Sequence, residues 1–322
     1  MKKMISLCLA ILMLAAAGSA LAAEAPRKIG ILQLVDHPAL NAAQDGFVKA
    51  LGDKGYVDGE SITITYQNGQ GDTNNLATIA DKFVGDEMDL VLAIATPSAQ
   101  AMAGKTTDIP IIATAVTDFE VAGLVESNAN PGTNVSGTSD MNPIAEQIDL
   151  LLKFVPEVKT VAFLYNSSED NSVLQVEVAK AALDAKGIGY IEQTVTNSNE
   201  VQQAVLAVAS DCDAVYLPTD NVFASAMPVV QAVAVEAKLP VICGEENMVL
   251  GGGLATLGIN YFNLGYQAGE MAARVLEGAD ISQMPVETSN QFSYVVNGEV
   301  AEAIGIEVPE DLKQYVVYPG QQ

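Results

Sequence analysis

The stretch Lys28-Ile29-Gly30-Ile31-Leu32 has the composition of a short buried strand, and Thr160-Val161-Ala162-Phe163-Leu164 repeats that composition about 130 residues later. Each stretch is followed by a helical pattern that ends in Lys-Gly and then by a second strand. Three further landmarks keep their order at a similar offset, namely Gly55 with Gly187, Asp89 with Asp213, and Pro110 with Pro240. Short apolar strands that alternate with helices are typical of a parallel sheet covered on both faces. The sequence therefore predicts an α/β protein of two Rossmann-like lobes, each a parallel sheet flanked by helices.

The same repeat sets the expected limits of the two lobes. Residues 27–138 together with 263–284 are predicted to form lobe one, and residues 141–258 together with 285–322 to form lobe two. The chain of 322 residues is long enough for two domains of ordinary size. We expect the crossovers near Gly137–Asn142 and Gly258–Phe262 to act as a hinge.

The first 22 residues have the pattern of a secretory signal peptide. Lys2 and Lys3 precede an apolar run from Ile5 to Ala17, and small residues follow up to Ala22, where we expect cleavage. The apolar run is shorter than the roughly 20 residues that a membrane-spanning helix needs. Cys8 lies inside the run, which is the wrong place for a lipid-modified cysteine. The prediction is a periplasmic or secreted protein.

The charge of the chain excludes one large class of partners. The chain has 15 basic and 40 acidic residues, and its formal net charge is −25. Nucleic-acid binding depends on basic side chains that neutralise phosphates, so no nucleic-acid partner is expected. Such a high net charge also makes copies of the chain repel one another, which favours a monomer.

Two cysteines follow the predicted signal. Cys212 precedes one apolar strand and Cys243 ends the next, so parallel strands would place the two sulfurs at opposite ends of the sheet. That separation exceeds the reach of a disulfide, and we expect two free, buried thiols.

Candidate binding residues lie directly after the predicted strands, because ligands of open parallel sheets bind beyond the carboxyl ends of the strands. These segments are rich in hydroxyl, amide and acidic side chains, and they contain no lysine or arginine. Helix starts near Thr96 and Ser98, and near Ser168 and Asn171, could hold a carboxylate. Asp220 or Asp118 could pair with an ammonium group. Each hydroxyl could instead be an ordinary helix cap, but their shared position on one rim favours a zwitterion site.

The sequence offers no chemistry for catalysis. His37 is the only histidine, and no cysteine or histidine partner lies at metal-ligand spacing from it. The run Gly251-Gly252-Gly253 is not followed by the lysine of a phosphate loop. We therefore predict a binding protein without a cofactor and not an enzyme. A ligand sensor for a chemotaxis or sensor-kinase partner, and a receptor for a sugar or nucleoside, remain as alternatives.

Several of these strand-end segments also carry a family resemblance. They are Asp36–Leu40, Tyr66–Asp72, Ala95–Gln100, Ala115–Asp118, Asn134–Asp140, Tyr165–Ser172 and Pro218–Asn221. In these segments the chain resembles the ABC-transporter substrate-binding proteins of the tryptophan/tyrosine-binding type, which have the type I periplasmic-binding fold. The resemblance implies an amino-acid ligand, often aromatic, held between two lobes that close on a hinge, and the membrane subunits of an ABC permease as partner.

The resemblance also assigns roles within the site. It implies that Thr96, Ser98, Asn171 and Ser172 hold the carboxylate and that Asp220 holds the ammonium group. His37 and the loop Thr117-Asp118-Phe119 would border the side-chain pocket, and Tyr165, Asn166 and Ser168 belong to the same candidate site. Family members usually have proline where this chain has Phe119. That ring could stack on an aromatic ligand or could shorten the pocket.

Overall fold

The computed structural model describes residues 25–289 and 291–321. The predicted signal peptide and Cys8 lie outside these residues. The strands are β1 (Arg27–Gln33), β2 (Ile62–Asn68), β3 (Leu90–Ile94), β4 (Ile111–Val116), β5 (Val135–Ser139), β6 (Thr160–Asn166), β7 (Gly189–Val195), β8 (Ala214–Leu217), β9 (Val241–Cys243), β10 (Ala255–Gly258), β11 (Glu287–Thr288), β12 (Ser293–Asn297) and β13 (Val316–Val317). The α-helices are α1 (Pro38–Asp53), α2 (Thr73–Gly85), α3 (Thr96–Ala103), α4 (Ile144–Phe154), α5 (Asp170–Asp184), α6 (Val201–Val208), α7 (Asn221–Ser225), α8 (Met227–Ala237), α9 (Glu246–Leu250), α10 (Tyr261–Leu276) and α11 (Gly298–Ile304).

The first lobe is built on a sheet with the strand order β11-β5-β4-β3-β1-β2. Every pairing in this sheet is parallel. All residues of β3, β4 and β5 are buried, as expected for strands covered on both faces by helices. A continuous apolar core fills the lobe.

The second lobe is built on a sheet with the strand order β13-β12-β10-β9-β8-β6-β7. Strands β6 to β10 are parallel, whereas β12 runs antiparallel to β10 and β13 pairs parallel with β12. Helices cover both of its faces, and each face has its own apolar cluster. The prediction of two α/β lobes is confirmed, and the reversed pair β12 and β13 is an addition that the sequence repeat did not indicate.

Helix α10 lies against α1 across a seam of small residues in the first lobe. A Cβ atom added to Gly46 would lie 2.0 Å from the backbone oxygen of Phe262, and one added to Gly265 would lie 1.8 Å from that of Ala43. These two glycines therefore allow the two helix backbones to approach one another directly. Helix α1 begins beside His37, and α10 begins at Tyr261, so the seam connects two points that the next section places in the site.

The chain passes between the two sheets after β5, after β10 and between β11 and β12. Strand β11 pairs with β5 in the first sheet, whereas the sequence assigned the chain from residue 285 onward to lobe two. The switch to the second lobe therefore comes after Thr288, and the following strand, β12, is the first of this tail in the second sheet. Sequence patterning could not locate the switch because β11 is only two residues long.

Cys212 and Cys243 are both free thiols, as predicted. Cys243 is fully buried at the end of β9, and Cys212 is half-buried. No helix within residues 25–289 and 291–321 is long and apolar enough to cross a membrane.

Candidate functional site

A cavity lies between the two lobes at the carboxyl ends of their strands. It measures about 290 Å³ with its opening, and it is bordered from lobe one by His37, Leu40 and Ala115 and from lobe two by Thr219, Asp220 and Glu245. An outer space of about 640 Å³ adjoins it, with both spaces touching Asn221. The position agrees with the rule that ligands of open α/β sheets bind beyond the carboxyl ends of the strands.

The outer space has a more apolar wall than the inner cavity. Leu34, Val35 and Pro97 of the first lobe face Val222 of the second, and the polar groups of Asn166, Ser168 and Glu169 lie on its second-lobe side. The two spaces together thus have a polar inner end and a partly apolar outer part.

Four carboxyl groups are buried around these spaces, namely Asp140, Glu169, Asp220 and Glu245, each 4% exposed or less. None of the four forms an ion pair in the described parts of the chain, and no lysine or arginine borders either space. Buried carboxylates without a cation nearby are costly, because burial removes their hydration. The two spaces are therefore surrounded by several buried acids and by no basic side chain that could balance their charge.

Asp220 and Glu245 already act as helix caps. Asp220 accepts hydrogen bonds from the backbone N–H groups of Phe223 (3.0 Å) and Asn166 (2.6 Å) and from the hydroxyl of Ser172 (2.7 Å). Glu245 accepts from the N–H of Met248 at 2.7 Å in the same way at the start of α9. Most of the acceptor capacity of both carboxyl groups is therefore used within the second lobe.

Asp140 connects the two crossovers at the floor of the cavity. Its carboxylate accepts from the Tyr261 hydroxyl at 2.6 Å and from the Thr117 hydroxyl at 3.0 Å. Asn142, two residues along the first crossover, accepts from the backbone N–H of Ile259 on the second at 3.2 Å. The expected hinge segments are therefore joined by hydrogen bonds directly below the cavity.

Glu169 differs from the other three acids because neutral amide groups supply its contacts. Its carboxylate accepts from the side chains of Asn221 (2.5 Å), Asn171 (3.2 Å) and Asn166 (3.3 Å) and from the backbone N–H of Asn221 at 3.3 Å. It stands at the N-cap position of α5 but makes no capping bond to that helix. Its carboxyl group therefore does not cap its own helix, and its only bond to a helix start is the long one from the Asn221 N–H.

Burial raises the pKa of all four carboxyl groups. For Glu169 the largest cause is loss of hydration, and the nearby charge of Asp220 adds to it. Burial likewise raises the pKa of Asp140 and Asp220, and it raises that of Glu245 to about 7. No neighbouring cation opposes these shifts. Some of the four carboxyl groups are therefore protonated near neutral pH in the free protein.

Several buried polar atoms at the strand ends have no hydrogen-bond partner. Asn171 donates its amide hydrogens to Glu169 and to the backbone oxygen of Thr219, so that its own Oδ1 is left without a donor. The Nδ1 of His37 and the hydroxyl oxygens of Thr96 and Ser98 are likewise unpartnered. Buried polar atoms are nearly always paired in native proteins, so this concentration at one place indicates that a ligand completes the pairing.

The backbone at the start of α3 is also unusual. Ala95 precedes the helix with a φ of 82°, which a residue with a Cβ rarely adopts. Such strain persists only where the surroundings impose it, and it is concentrated at binding sites. It places the unpartnered hydroxyls of Thr96 and Ser98 at the cleft end of β3.

Three hydrogen bonds cross directly from one lobe to the other. His37 Nε2 lies 3.2 Å from Asn221 Oδ1, the Gln175 amide donates to the Thr117 hydroxyl at 3.2 Å, and the Gln100 amide donates to Asp170 at 2.8 Å. Burial lowers the pKa of His37 to about 4, so the ring is neutral at physiological pH. The two lobes are therefore in contact across the cleft.

Four of the residues singled out from the sequence point away from these spaces. Asp118 caps the turn at Glu120 and Val121, while Phe119 is fully buried in the core of lobe one and borders neither space. Tyr165 donates its hydroxyl to Glu192 on β7, which lies at the edge of the second sheet. Ser172 donates to Asp220. The Phe119 ring therefore packs in the core of lobe one and borders neither space.

Five of the other candidates border the spaces, and three lie next to residues that do. His37, Asn171 and Asp220 border the inner cavity, and Asn166 and Ser168 border the outer space. Thr96 and Ser98 flank Pro97 of the outer space, and Thr117 supports Asp140 from below. Their roles in binding a ligand stay a prediction.

Among the residues at the site that sequence reasoning missed are four with ionisable side chains, Asp140, Glu169, Glu245 and Tyr261. A signal existed for Glu169 and Glu245, since both follow predicted strands within the segments that were inspected. Asp140 and Tyr261 lie on the predicted crossovers and carried no sign of a ligand contact. No group of three or more histidine, cysteine or acidic residues in the described chain is arranged to hold a metal ion.

Comparison with known proteins gives one consistent result. A family described as ABC transporter substrate binding protein matches residues 28–318. A protein named tyrosine-binding protein, from Clostridioides difficile (strain R20291), is 45% identical over 281 residues, which are 87% of this chain and 81% of the relative.

Two solved structures are similar along nearly the whole chain. An ABC domain from Streptococcus pneumonia in complex with L-Trp is 38% identical, with a TM-score of 0.88 over 91% of this chain and 100% of that one. A ligand-free, open substrate-binding protein from Clostridium difficile is 47% identical, with a TM-score of 0.69 over 91% of this chain and 99% of that one.

Proposed function

This chain belongs to the family of ABC transporter substrate-binding proteins, which are solute-binding receptors and not enzymes, and from that premise we propose that it binds an aromatic amino acid between its lobes. The observation that carries the proposal is the set of four buried, unpaired carboxyl groups around one interlobe cavity. An ammonium group supplies the positive charge that the walls of the cavity lack. The names of two relatives, one tyrosine-binding and one solved with L-Trp, support an aromatic side chain.

The shape of the two spaces supports one orientation of the ligand. The ammonium group would lie at the acidic boundary between the spaces, near Glu169 and the unpartnered oxygen of Asn171. The aromatic ring would extend into the outer space against Leu34 and Val222. The unpartnered hydroxyls of Thr96 and Ser98, at the start of a helix, are suited to the carboxylate.

We further propose that binding closes the lobes about the crossovers. This chain fits the L-Trp complex better than the open, ligand-free structure, although the open structure is the more similar of the two in sequence. The better fit to the ligand-bound structure supports a closed arrangement of the lobes here, consistent with the three hydrogen bonds across the cleft. A ligand that contacts both lobes stabilises the closed state by its extra contacts there.

The transport role follows from the family. We propose that the protein is exported, acts as a monomer outside the cytoplasm and delivers its ligand to the membrane subunits of an ABC permease. Pull-down of those subunits by the ligand-loaded protein, and not by the free protein, tests this part. An equal yield from both forms argues against delivery of ligand by the closed state.

Ligand identity is tested by calorimetry on the protein without residues 1–22. The twenty amino acids, a set of dipeptides, sugars and nucleosides are titrated separately at one pH. We expect L-tryptophan, L-tyrosine or both to bind, and 3-indolepropionate, which lacks the ammonium group, to fail. Binding of a sugar or nucleoside with no response to any amino acid would refute the proposal.

A further inference from the structure

We propose that Glu169 is the residue that selects for an ammonium group, and that it gives up a proton to solvent when the ligand binds. The inference rests on the proposed function, since it requires an ammonium-bearing ligand. In the exchange, the neutral carboxyl group of Glu169 loses H⁺ to the buffer, and the resulting carboxylate pairs with the ammonium group of the ligand. No bond to the ligand forms. The proton goes to the buffer, and the ammonium group of the ligand balances the new negative charge of Glu169, while the ligand's own carboxylate lies at the start of α3.

The four carboxyl groups differ in how far they are already engaged in holding the fold together. Asp220 and Glu245 hold the starts of α7 and α9, and Asp140 holds Tyr261 and Thr117. Glu169 makes no capping bond to its own helix, its one contact with a helix start is a long bond from the Asn221 N–H at 3.3 Å, and its side-chain contacts are neutral amides that can shift to a ligand. It is therefore the acid whose charge state can change with the least disturbance of the fold.

The Glu169 carboxyl group is also placed where a ligand can reach it. Glu169 borders the outer space, and its partner Asn221 borders both spaces, so its carboxyl group lies at their boundary. The neighbouring Asn171 is 6% exposed, it borders the inner cavity, and its Oδ1 has no hydrogen-bond partner. An ammonium group has three donors and no acceptor, and it can satisfy both oxygen-bearing groups at once.

The ionisable groups around Glu169 are mostly acidic. Asp220 at the start of α7 is the nearest acid, Asp170 is the next residue of its own helix, and Asp140 and Glu245 face the same cavity. From lobe one the facing titratable group is His37, which contacts Asn221 and is neutral.

No lysine or arginine borders either space, so no cation stabilises a second negative charge beside Asp220, and only hydrogen bonds, mainly those from Asn221 and Asn171, favour ionised Glu169. Burial and that charge raise the pKa of Glu169, and a bound cation would lower it again.

The sign of the pH dependence follows from this difference. The free protein holds the proton more tightly than the complex does, so binding releases it and ligand affinity rises with pH. The rise spans the interval between the ordinary carboxyl pKa of about 4 and the raised pKa of the free protein. Release of one whole proton gives a tenfold change in affinity per pH unit, or about 1.4 kcal/mol.

The test is calorimetry with L-tryptophan and L-tyrosine in PIPES and in imidazole, two buffers of different ionisation enthalpy, at about pH 6.5, between the two pKa limits. We expect the measured enthalpy to differ between the buffers for the natural chain, by the amount that corresponds to about one proton. The Glu169→Gln variant keeps the size of the side chain and one acceptor oxygen but has no proton to lose. It should show no buffer dependence and about tenfold or more weaker binding.

Two further variants control for folding and for general loss of charge. Asp184→Asn removes an exposed acid at the far end of the same helix and should behave as the natural chain does. Glu169→Asp keeps a carboxyl group and should retain proton release with weaker binding. Thermal unfolding of all variants identifies any that fail to fold.

The outcomes are distinct. If an aromatic amino acid binds without proton release, or if Glu169→Gln releases as many protons as the natural chain, the role of Glu169 is overturned while the proposed function stands. If no aromatic amino acid binds to the natural chain, the proposed function fails and this inference fails with it.

Discussion

Replacing Gly265 by alanine tests the seam between α1 and α10. The added Cβ would lie 1.8 Å from the backbone oxygen of Ala43 and 2.5 Å from its carbonyl carbon. Carbon and oxygen atoms need roughly 3.3 Å, so the helices would have to separate by on the order of 1.5 Å. Overpacking costs about 1–3 kcal/mol. We expect the upper end of this range here, because the obstacle is backbone, which cannot rotate away.

The helix propensity of alanine offsets part of this cost. Alanine is more favourable than glycine by about 1 kcal/mol in a helix interior. We therefore expect a net loss of about 2 kcal/mol in the free energy of unfolding. In a chain of this size the loss lowers the melting temperature by roughly 4–8 °C.

The assay is thermal unfolding followed by circular dichroism, with Gly52→Ala as matched control. Gly52 lies in α1, but its added Cβ would have no atom within 4 Å, so this variant should be unchanged or slightly more stable. A Gly265→Ala protein that melts at or above the temperature of the natural chain would refute the close approach of the helices. Ligand affinity should fall as well, because the seam connects His37 with Tyr261.

Three further predictions concern single side chains. The imidazole of His37, whose pKa burial lowers to about 4, should show no protonation by NMR above about pH 5, and acid should destabilise the fold as pH falls below the ordinary value near 6.5; a titration near pH 6.5 would contradict its burial. Gln100→Ala removes the contact with Asp170 across the cleft, together with a hydrogen bond to the backbone oxygen of Ala122 in lobe one, and should weaken ligand binding by up to about 1.5 kcal/mol in calorimetry; unchanged affinity would mean that the contact with Asp170 does not report closure. Cys243, whose pKa burial raises, should resist a thiol reagent in the folded protein and react on unfolding, while the half-buried Cys212 reacts slowly, and prompt reaction of both would contradict the packing.

The lobes were predictable because their signal is local and repeated. Strands such as β3 are continuous apolar runs, and the second copy supports each assignment in the first. Strand β11 was not predictable, because two residues are too few to show a pattern. The orientation of β12 was not predictable either, because its residue pattern does not show the direction in which a strand runs.

The site was only partly predictable, because position in the sequence does not give the direction of a side chain. Asp220 and Glu169 both follow strands, yet only the structure shows that Asp220 is occupied as a cap while Glu169 is not. Phe119 was placed near the ligand by its position after β4, but the turn at Asp118 directs it into the core. Asp140 and Tyr261 are 121 residues apart, and no local pattern relates them.

The order in which the chain is made bears on the first lobe. Its sheet contains Glu287–Thr288, and its outer layer contains Tyr261–Leu276, so the lobe draws on both ends of the chain. A growing polypeptide that has reached residue 260 has all five long strands of that sheet, but not the helix that closes over Gly46 and Ala43. Contacts between such distant segments form slowly. The first lobe to be started is thus completed only when residue 288 has been made, and its unfinished face stays open to chaperones and proteases until then.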